Sequence, residues 1–170
     1  MGKNSIIDNL FYDNKKGSLL YKGTRYLLIR PETIIGFLKA VEESLKDEAG
    51  EKFYLGGFRG GFFSTKRYKE IHNFSDKEII EFMMKMGAEI GWGKFSLMRY
   101  EPKENILEVS VENSPFAIFY GRSDKGVCHL IRGVISGMAT ALFGKDCQAE
   151  EISCIAKGDN RCVFVVRKNC

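Results

Sequence analysis

The sequence predicts an α+β fold, an antiparallel β-sheet with α-helices packed on it in a single domain. Three observations carry this. The 170 residues suffice for one hydrophobic core and are short for two. Apolar spacing runs in the order strand, helices, strands, helix, hairpin, which is not the strand-helix alternation of a parallel sheet. The strand-like segments are joined by short turn-forming runs at residues 22–23, 102–105 and 157–160, the kind that link antiparallel neighbours.

Each element has a local reason. Residues 17–29, GSLLYKGTRYLLI, hold two short apolar runs about Lys22-Gly23, which read as a hairpin. The domain starts there, so residues 1–19 are taken as an N-terminal extension and residues 20–167 as the domain. Pro31 opens a helix, because its missing N–H is harmless in the first turn, and Ile34, Phe37, Leu38, Val41 and Leu45 recur at helical spacing up to Gly50. The next segment interleaves Phe53, Tyr54, Phe58, Phe62 and Phe63 with Gly56, Gly57, Gly60 and Gly61. In a helix each glycine costs about 1 kcal/mol against alanine, so the four call for close approach of a neighbouring element or ligand.

Ser75 followed by Glu78 is a capping box, and Ile79, Phe82, Met83, Met86 and Ile90 stripe the helix it starts, which Gly91 closes. Residues 92–99 and 106–111 alternate as antiparallel strands about the turn at 102–105, and residues 116–120 are expected as a third strand. In CHLIRGVISGMATALFG, Leu130, Val134, Met138, Ala141 and Leu142 mark one helix face, while Gly133, Ser136, Gly137 and Ala139 keep another side thin enough for close approach. Residues 148–156 and 162–166 form the last hairpin.

Composition excludes several classes. With 44 % hydrophobic and 28 % charged residues the chain reads as soluble, and no apolar run approaches the ~20 residues of a membrane helix. The N-terminus lacks the pattern of a secretory signal, and five cysteines, an odd number, suit a reducing cytoplasm. The net charge of +4 is spread along the chain without a block of like charges, which argues against a nucleic-acid partner.

The one constellation that suggests chemistry lies near the C-terminus. KGVCHLIRG and EEISCIAKGDNRCVF place Cys128, Glu151, Cys154 and Cys162 within 35 residues, and zinc takes four ligands of these types. An odd loop length would set Cys154 opposite Cys162 with Cβ atoms roughly 4.5–5.5 Å apart, whereas a two-residue loop would put the thiols on opposite faces. Glu151, three residues before Cys154, points the other way in an undistorted strand, so a shared ion requires a bulge or a frayed strand start. Cys128, at a helix N-terminus, has its thiolate favoured by the exposed amides. Three thiolates and a carboxylate leave a dication at −2, which calls for Arg132, Lys157 or Arg161 close by. The same cysteines also fit a plain core, because Ile152, Ala156, Phe164 and Val166 beside them are apolar. Spacing alone leaves these two readings level. Cys128 and His129 are adjacent and their side chains diverge on a helix, which disfavours a nucleophilic pair. His129 is instead an alternative to Glu151 as a ligand, and Cys147 and Cys170 are reserves.

The run Glu151-Ile-Ser-Cys154-Ile-Ala-Lys-Gly158-Asp159-Asn-Arg-Cys162-Val-Phe164 resembles the signature of the 4-vinyl reductase family domain, a small-molecule-binding module that also forms the sensor part of phenol- and xylene-responsive activators. RYLLIRPE at 25–32, Gly91-Trp92-Gly93, Asn113-Ser114 with Phe116, and Cys128-His129-Leu130 with Gly133 and Gly137 resemble it in the same order, over about residues 20–167. The resemblance implies an antiparallel sheet with packed helices, related to subunits of vesicle-transport particles, that commonly dimerises. It also implies a zinc held by Cys128, Glu151, Cys154 and Cys162. The histidine and tryptophan with which phenol sensors bind the hydroxyl have no clear counterpart: His72 sits in a poorly matched loop and Trp92 belongs to the Gly-Trp-Gly element. Phenol specificity is therefore not carried over.

The expected function is that of a stand-alone cytoplasmic module that binds or senses a small, apolar or aromatic molecule. It is braced by a structural zinc, homodimeric, and without nucleic-acid or membrane partners. Phe58, Phe62, Phe63, Trp92, Phe95, Phe116 and Tyr120 are candidates for the pocket wall, each of them equally a candidate for ordinary core. No nicotinamide, flavin or nucleotide fingerprint is present, so no catalytic residue is assigned. The alternatives are a carrier or reductase-associated protein of tetrapyrrole metabolism and a protein-binding assembly subunit.

Overall fold

The structure, a computed structural model, describes residues 3–167. Three short strands, β1 (Phe11–Asp13), β2 (Ser18–Tyr21) and β3 (Thr24–Tyr26), form an antiparallel sheet in that order. Lys22 (φ 50°) and Gly23 (φ 73°) both lie in the left-handed region, as a two-residue hairpin turn requires. The second apolar run stops pairing at Tyr26, and Leu27, Leu28 and Ile29 run on in the open, with Leu27 80 % and Leu28 85 % exposed. Helices α1 (Pro31–Leu45), α2 (Glu48–His72) and α3 (Asp76–Glu89) follow. A four-stranded antiparallel sheet of order β4-β5-β7-β6 is then built from β4 (Lys94–Glu101), β5 (Ile106–Glu112), β6 (Ala149–Ser153) and β7 (Cys162–Val166). Helices α4 (Pro115–Tyr120) and α5 (His129–Phe143) lie between β5 and β6 in the chain. The α+β expectation holds.

Most local expectations hold as well. The Ser75 hydroxyl accepts from the Glu78 amide while the Glu78 carboxylate accepts from the Ser75 amide, closing the capping box of α3. Two helix faces are shifted from the expected ones. In α1 the buried residues are Ile35 and Leu38, whereas Phe37 is exposed and meets Phe53 of α2. In α5 the deepest side is Ile131, Ile135, Met138 and Ala139, with Leu130, Val134 and Leu142 half-buried. Residues 116–120, expected as a strand, are helical. Ser114 is extended and Pro115 follows at the first helical position, where its fixed φ and missing N–H start a helix at no cost.

The glycines of α2 are explained by α5. A Cβ on Gly57 or Gly61 would lie 2.2 Å from the carbonyl oxygens of Leu130 and Val134. Reciprocally, a Cβ on Gly133 or Gly137 would lie 2.1 Å from those of Tyr54 and Phe58. Two glycines spaced by four on each helix thus let the backbones touch, the small-residue packing that brings helix axes closest. Gly56 and Gly60 take no part in this contact, since a Cβ on either would meet nothing within 4 Å. The core lies between this helix pair and the four-stranded sheet, whose Leu107, Val109, Val111, Phe164 and Val166 are fully buried.

Candidate metal centre and ligand cavity

The structure brings Cys128, Glu151, Cys154 and Cys162 together: one ligand-type atom from each lies within 4.8 Å of the others. The hairpin achieves this with the irregularity its spacing demands. The β6-β7 register pairs Glu151 with Phe164 but Ser153 with Val163, a bulge that turns Glu151 to the side of Cys154. Beyond Ser153 the chain leaves the sheet for a short turn of 3-10 helix, Ile155–Lys157, closed by Gly158 at φ 102°. Asp159 holds that turn, since its carboxylate accepts from the Cys154 amide at 2.7 Å. Cys128 stands just before α5, which carries it to the same point.

The Sγ atoms of Cys128 and Cys162 are 3.6 Å apart and those of Cys154 and Cys162 are 4.0 Å apart. Ligands of a tetrahedral zinc at ~2.3 Å bonds are separated by roughly 3.8 Å. The three cysteines are completely buried, and no thiol here has a base beside it that would make it a nucleophile. The Ile155 amide donates to the Cys162 sulfur at 3.4 Å, and the Ser114 hydroxyl lies 3.5 Å from the Cys128 sulfur. Glu151 Oε2 accepts from the Cys128 amide at 3.0 Å, while Oε1 is buried with no hydrogen-bond partner. Gly126 makes room for this carboxylate, because a Cβ there would lie 2.5 Å from Oε2.

The protonation of the cluster follows from crowding. Hydrogen bonds donated by Cys128 and Cys162 pull the Cys154 thiol far below the ordinary thiol range, so it is the thiolate of the group. Cys128 is raised, first by its bond to Cys154. The Cys128 bond lowers Cys162, but Cys154 and burial prevail and push it up to about 12. Burial, then the Cys154 charge, pushes Glu151 up to about 8. One charge is thus shared by four groups that could each be anionic, and a buried acceptor atom is left orphaned. That arrangement fits a dication with these four as its ligands.

His129, the alternative ligand, is outside this set. Its imidazole packs on Gly50 of α2, where a Cβ would come within 2.6 Å, and burial lowers it to about 4. Arg132 pairs with Glu51 at 2.5 Å and lies over the Tyr54 ring, and with Lys125 it lines the cleft of about 330 Å³ onto which Glu151 opens. Cys147 is buried elsewhere, its amide donating to Thr140, and Cys170 lies outside the described residues. Sequence reasoning missed the supporting roles of Ser114 and of the Asp159 carboxylate, although both residues stand within the motifs that carry the resemblance.

A second feature lies on the other side of α5. A cavity of about 190 Å³ is lined by residues from β3, α2, α3, the α3-β4 connection, β4 and α5, among them Tyr26, Met83, Met86, Trp92, Phe95 and Ile131. None of its lining residues is charged. Of the expected wall residues, Trp92 and Phe95 line it. Phe116 packs edge-on against Trp92 from behind. Phe58 and Phe62 stack on each other along α2, Phe63 is 66 % exposed, and the Tyr120 hydroxyl donates to Glu42 at 3.0 Å. Tyr26 and the methionines were missed, since a lone tyrosine in a hairpin strand carries no sign of facing a cavity.

Residues 107–168 match the 4-vinyl reductase domain. The matched segment runs from β5 to β7 and contains all four members of the cluster. The phenol regulator MopR of Acinetobacter guillouiae is 23 % identical over 178 residues, covering 94 % of this chain and 30 % of the regulator. The chain therefore spans less than a third of that relative's length. The phenol-responsive sensory domain of the transcription activator PoxR, solved with phenol, superposes with a TM-score of 0.83 at 20 % identity, over 95 % of this chain and 86 % of that one. A trafficking protein particle complex subunit 3 from Naegleria fowleri, covalently bound to palmitic acid, gives 0.58 at 16 % identity over 81 % and 93 %. The fold is thus that of these domains. Among the described residues no helix is long and apolar enough to cross a membrane.

Proposed function

We propose that this chain is a small-molecule-binding sensory domain that encloses a neutral, largely apolar ligand of one-ring size and is braced by a structural zinc. The uncharged cavity between α2, α3, β4 and α5 carries the reading. An apolar cavity of ~150 Å³ is enough to hold benzene, so 190 Å³ suits a single substituted ring. The phenol-related descriptions of MopR and of the PoxR sensory domain support the ligand class without fixing the ligand.

Zinc is the ion that the three sulfurs and one carboxylate favour. When bound it would supply a rigid crosslink. All four coordination positions would be protein groups, so none remains for a catalytic water, and the site ties the start of α5 to the last hairpin. The free, buried cysteines suit a reducing compartment, in line with a cytoplasmic protein. The exposed run at Leu27, Leu28 and Ile29 supports a homodimer that covers it.

Trp92 is the chain's single tryptophan and lines the cavity, which makes its fluorescence the direct test. Titration with neutral one-ring aromatics is expected to change Trp92 emission saturably. A flat response across such a panel overturns the ligand reading. Native mass spectrometry is expected to give one zinc per chain, and metal-free protein of unchanged thermal stability overturns the brace.

A further inference from the structure

The cavity has one polar end, built from two tyrosines. The Tyr26 hydroxyl lies 2.6 Å from that of Tyr68 and donates to Met86 Sδ at 3.5 Å. Tyr26 and Met86 line the cavity, whereas Tyr68 does not and is among the most deeply buried large side chains of the core. Two hydroxyls bring two protons. One proton arrangement satisfies both contacts: Tyr68 donates to Tyr26, and Tyr26 directs its own proton to the thioether. Thioether sulfur is a weak acceptor, so the Tyr26 proton is spent on a poor partner beside an uncharged cavity. Tyr21, edge-on to the Tyr26 ring, and Tyr68 hold the ring in place. Burial, with the Tyr68 hydroxyl second, holds Tyr26 well above the usual phenol range, so it keeps its proton at any physiological pH.

We infer that the Tyr26 hydroxyl, oriented by Tyr68, is the specificity-determining donor of this cavity, and that the ligand is a neutral ring bearing one acceptor oxygen that takes the proton from Met86. The inference rests on the ligand-binding reading and names the chemistry of that ligand. Anionic rings are excluded by the same lining. With no cationic side chain in the wall, a carboxylate would lose its hydration without gaining a partner. Ser64 and the Trp92 indole are the other polar side chains of the lining, so assigning the donor to Tyr26 is a claim against both.

The test is a pair of near-isosteric probes, anisole and ethylbenzene, titrated against the full chain by Trp92 fluorescence. Anisole can only accept a hydrogen bond, and ethylbenzene can neither accept nor donate. The wild type is expected to prefer anisole by roughly two- to tenfold, the worth of one net hydrogen bond. Tyr26→Phe is expected to bring the two probes to equal affinity while ethylbenzene binds as before. Tyr68→Phe, which leaves the Tyr26 hydroxyl present but unheld, should reduce the preference without abolishing it. That ratio does not move for a merely structural defect, because both probes suffer such a defect alike. If Tyr26→Phe keeps the preference for anisole, the donor is elsewhere and the inference is overturned. If both probes bind the wild type equally, the cavity reads shape alone, which also overturns it. If neither probe binds, the ligand-binding reading fails and this inference falls with it, an outcome distinct from the other two. Benzoate is expected not to bind, and its binding would overturn the exclusion of anions.

Discussion

The cluster and the cavity flank the same helix but are made in opposite ways. The cluster crowds four ionisable groups within 4.8 Å and neutralises itself by sharing protons. The cavity gathers side chains from several elements and holds none that is charged. The first is a place of high local energy in search of a cation, and the second is a quiet volume whose selectivity rests on shape and a hydroxyl. Helix α5 joins them, with Cys128 at its start and Ile131 and Val134 one and two turns later. The difference teaches which experiments each will feel: the cluster should answer to metal and protons, and the cavity to packing.

Metal removal is the harshest way to break the comparison. At a free metal concentration a thousand times the dissociation constant, binding to the folded state alone contributes about 4 kcal/mol. Chelator-stripped protein, or Cys154→Ser, is expected to lose stability on that order, read as a lowered melting temperature that added zinc restores for wild type only. Proton release is the next largest effect. Cys128, Cys162 and Glu151 are raised and so protonated in the metal-free protein at neutral pH, while Cys154 is already ionised. Metal must displace those protons, so affinity rises with pH. Each proton displaced is worth a factor of about ten per pH unit. The slope should be near three below pH 8 and closer to two above it, where Glu151 ionises on its own. Affinity of a neutral ring for the cavity should stay flat over the same range, and a ligand affinity that tracked the metal curve would break the distinction.

The cluster was far more legible in the sequence than the cavity, for a physical reason. Cys154, Cys162 and Glu151 lie on one hairpin, so strand periodicity alone states the condition for their meeting, a bulge, and the bulge is there. Phe58, Phe62 and Phe63 are equally conspicuous as letters, yet a helix spreads them over different directions, and which direction faces space depends on α5 and α3. The glycines were a better guide than the aromatics. Their cost demanded a close neighbour, and Gly57 and Gly61 against Gly133 and Gly137 supply it. Residues 116–120 misled because a single apolar stretch of five has no period to distinguish strand from helix, and Pro115 decided it.

That glycine contact is where the two regions are held in register, and it can be tested within one helix. Gly61→Ala would drive a methyl to 2.2 Å from the Val134 carbonyl oxygen, which the helices relieve only by separating. A loss of about 3 kcal/mol is expected by chemical denaturation, the upper range for overpacking. Gly56→Ala on the exposed side meets nothing within 4 Å and should stabilise by up to about 1 kcal/mol through helix propensity. Equal effects at the two positions would mean that the close crossing of α2 and α5 is wrong.

The smallest expected effect lies at the far end of α3, beside Ile90 of the cavity wall. Here the Glu89 carboxylate accepts from the Ser5 hydroxyl at 2.7 Å and from the amides of Ser5 and Ile6, and Ile6 is buried against the core. Burial raises Glu89, but these hydrogen bonds and Lys85 outweigh it and leave the group below its ordinary value. A carboxylate depressed in the folded state contributes stability that is complete above its unfolded value, about 4.3, and is lost as pH falls through the folded one. Ser5→Ala should therefore cost about 1 kcal/mol at neutral pH and progressively less below pH 4. Because the N-terminal segment packs at the cavity end of the molecule and away from the sulfur cluster, the same variant should leave zinc stoichiometry and the slope of metal affinity with pH untouched. A change in either would tie the N-terminal segment to the metal site and remove the separation between the two sides of α5.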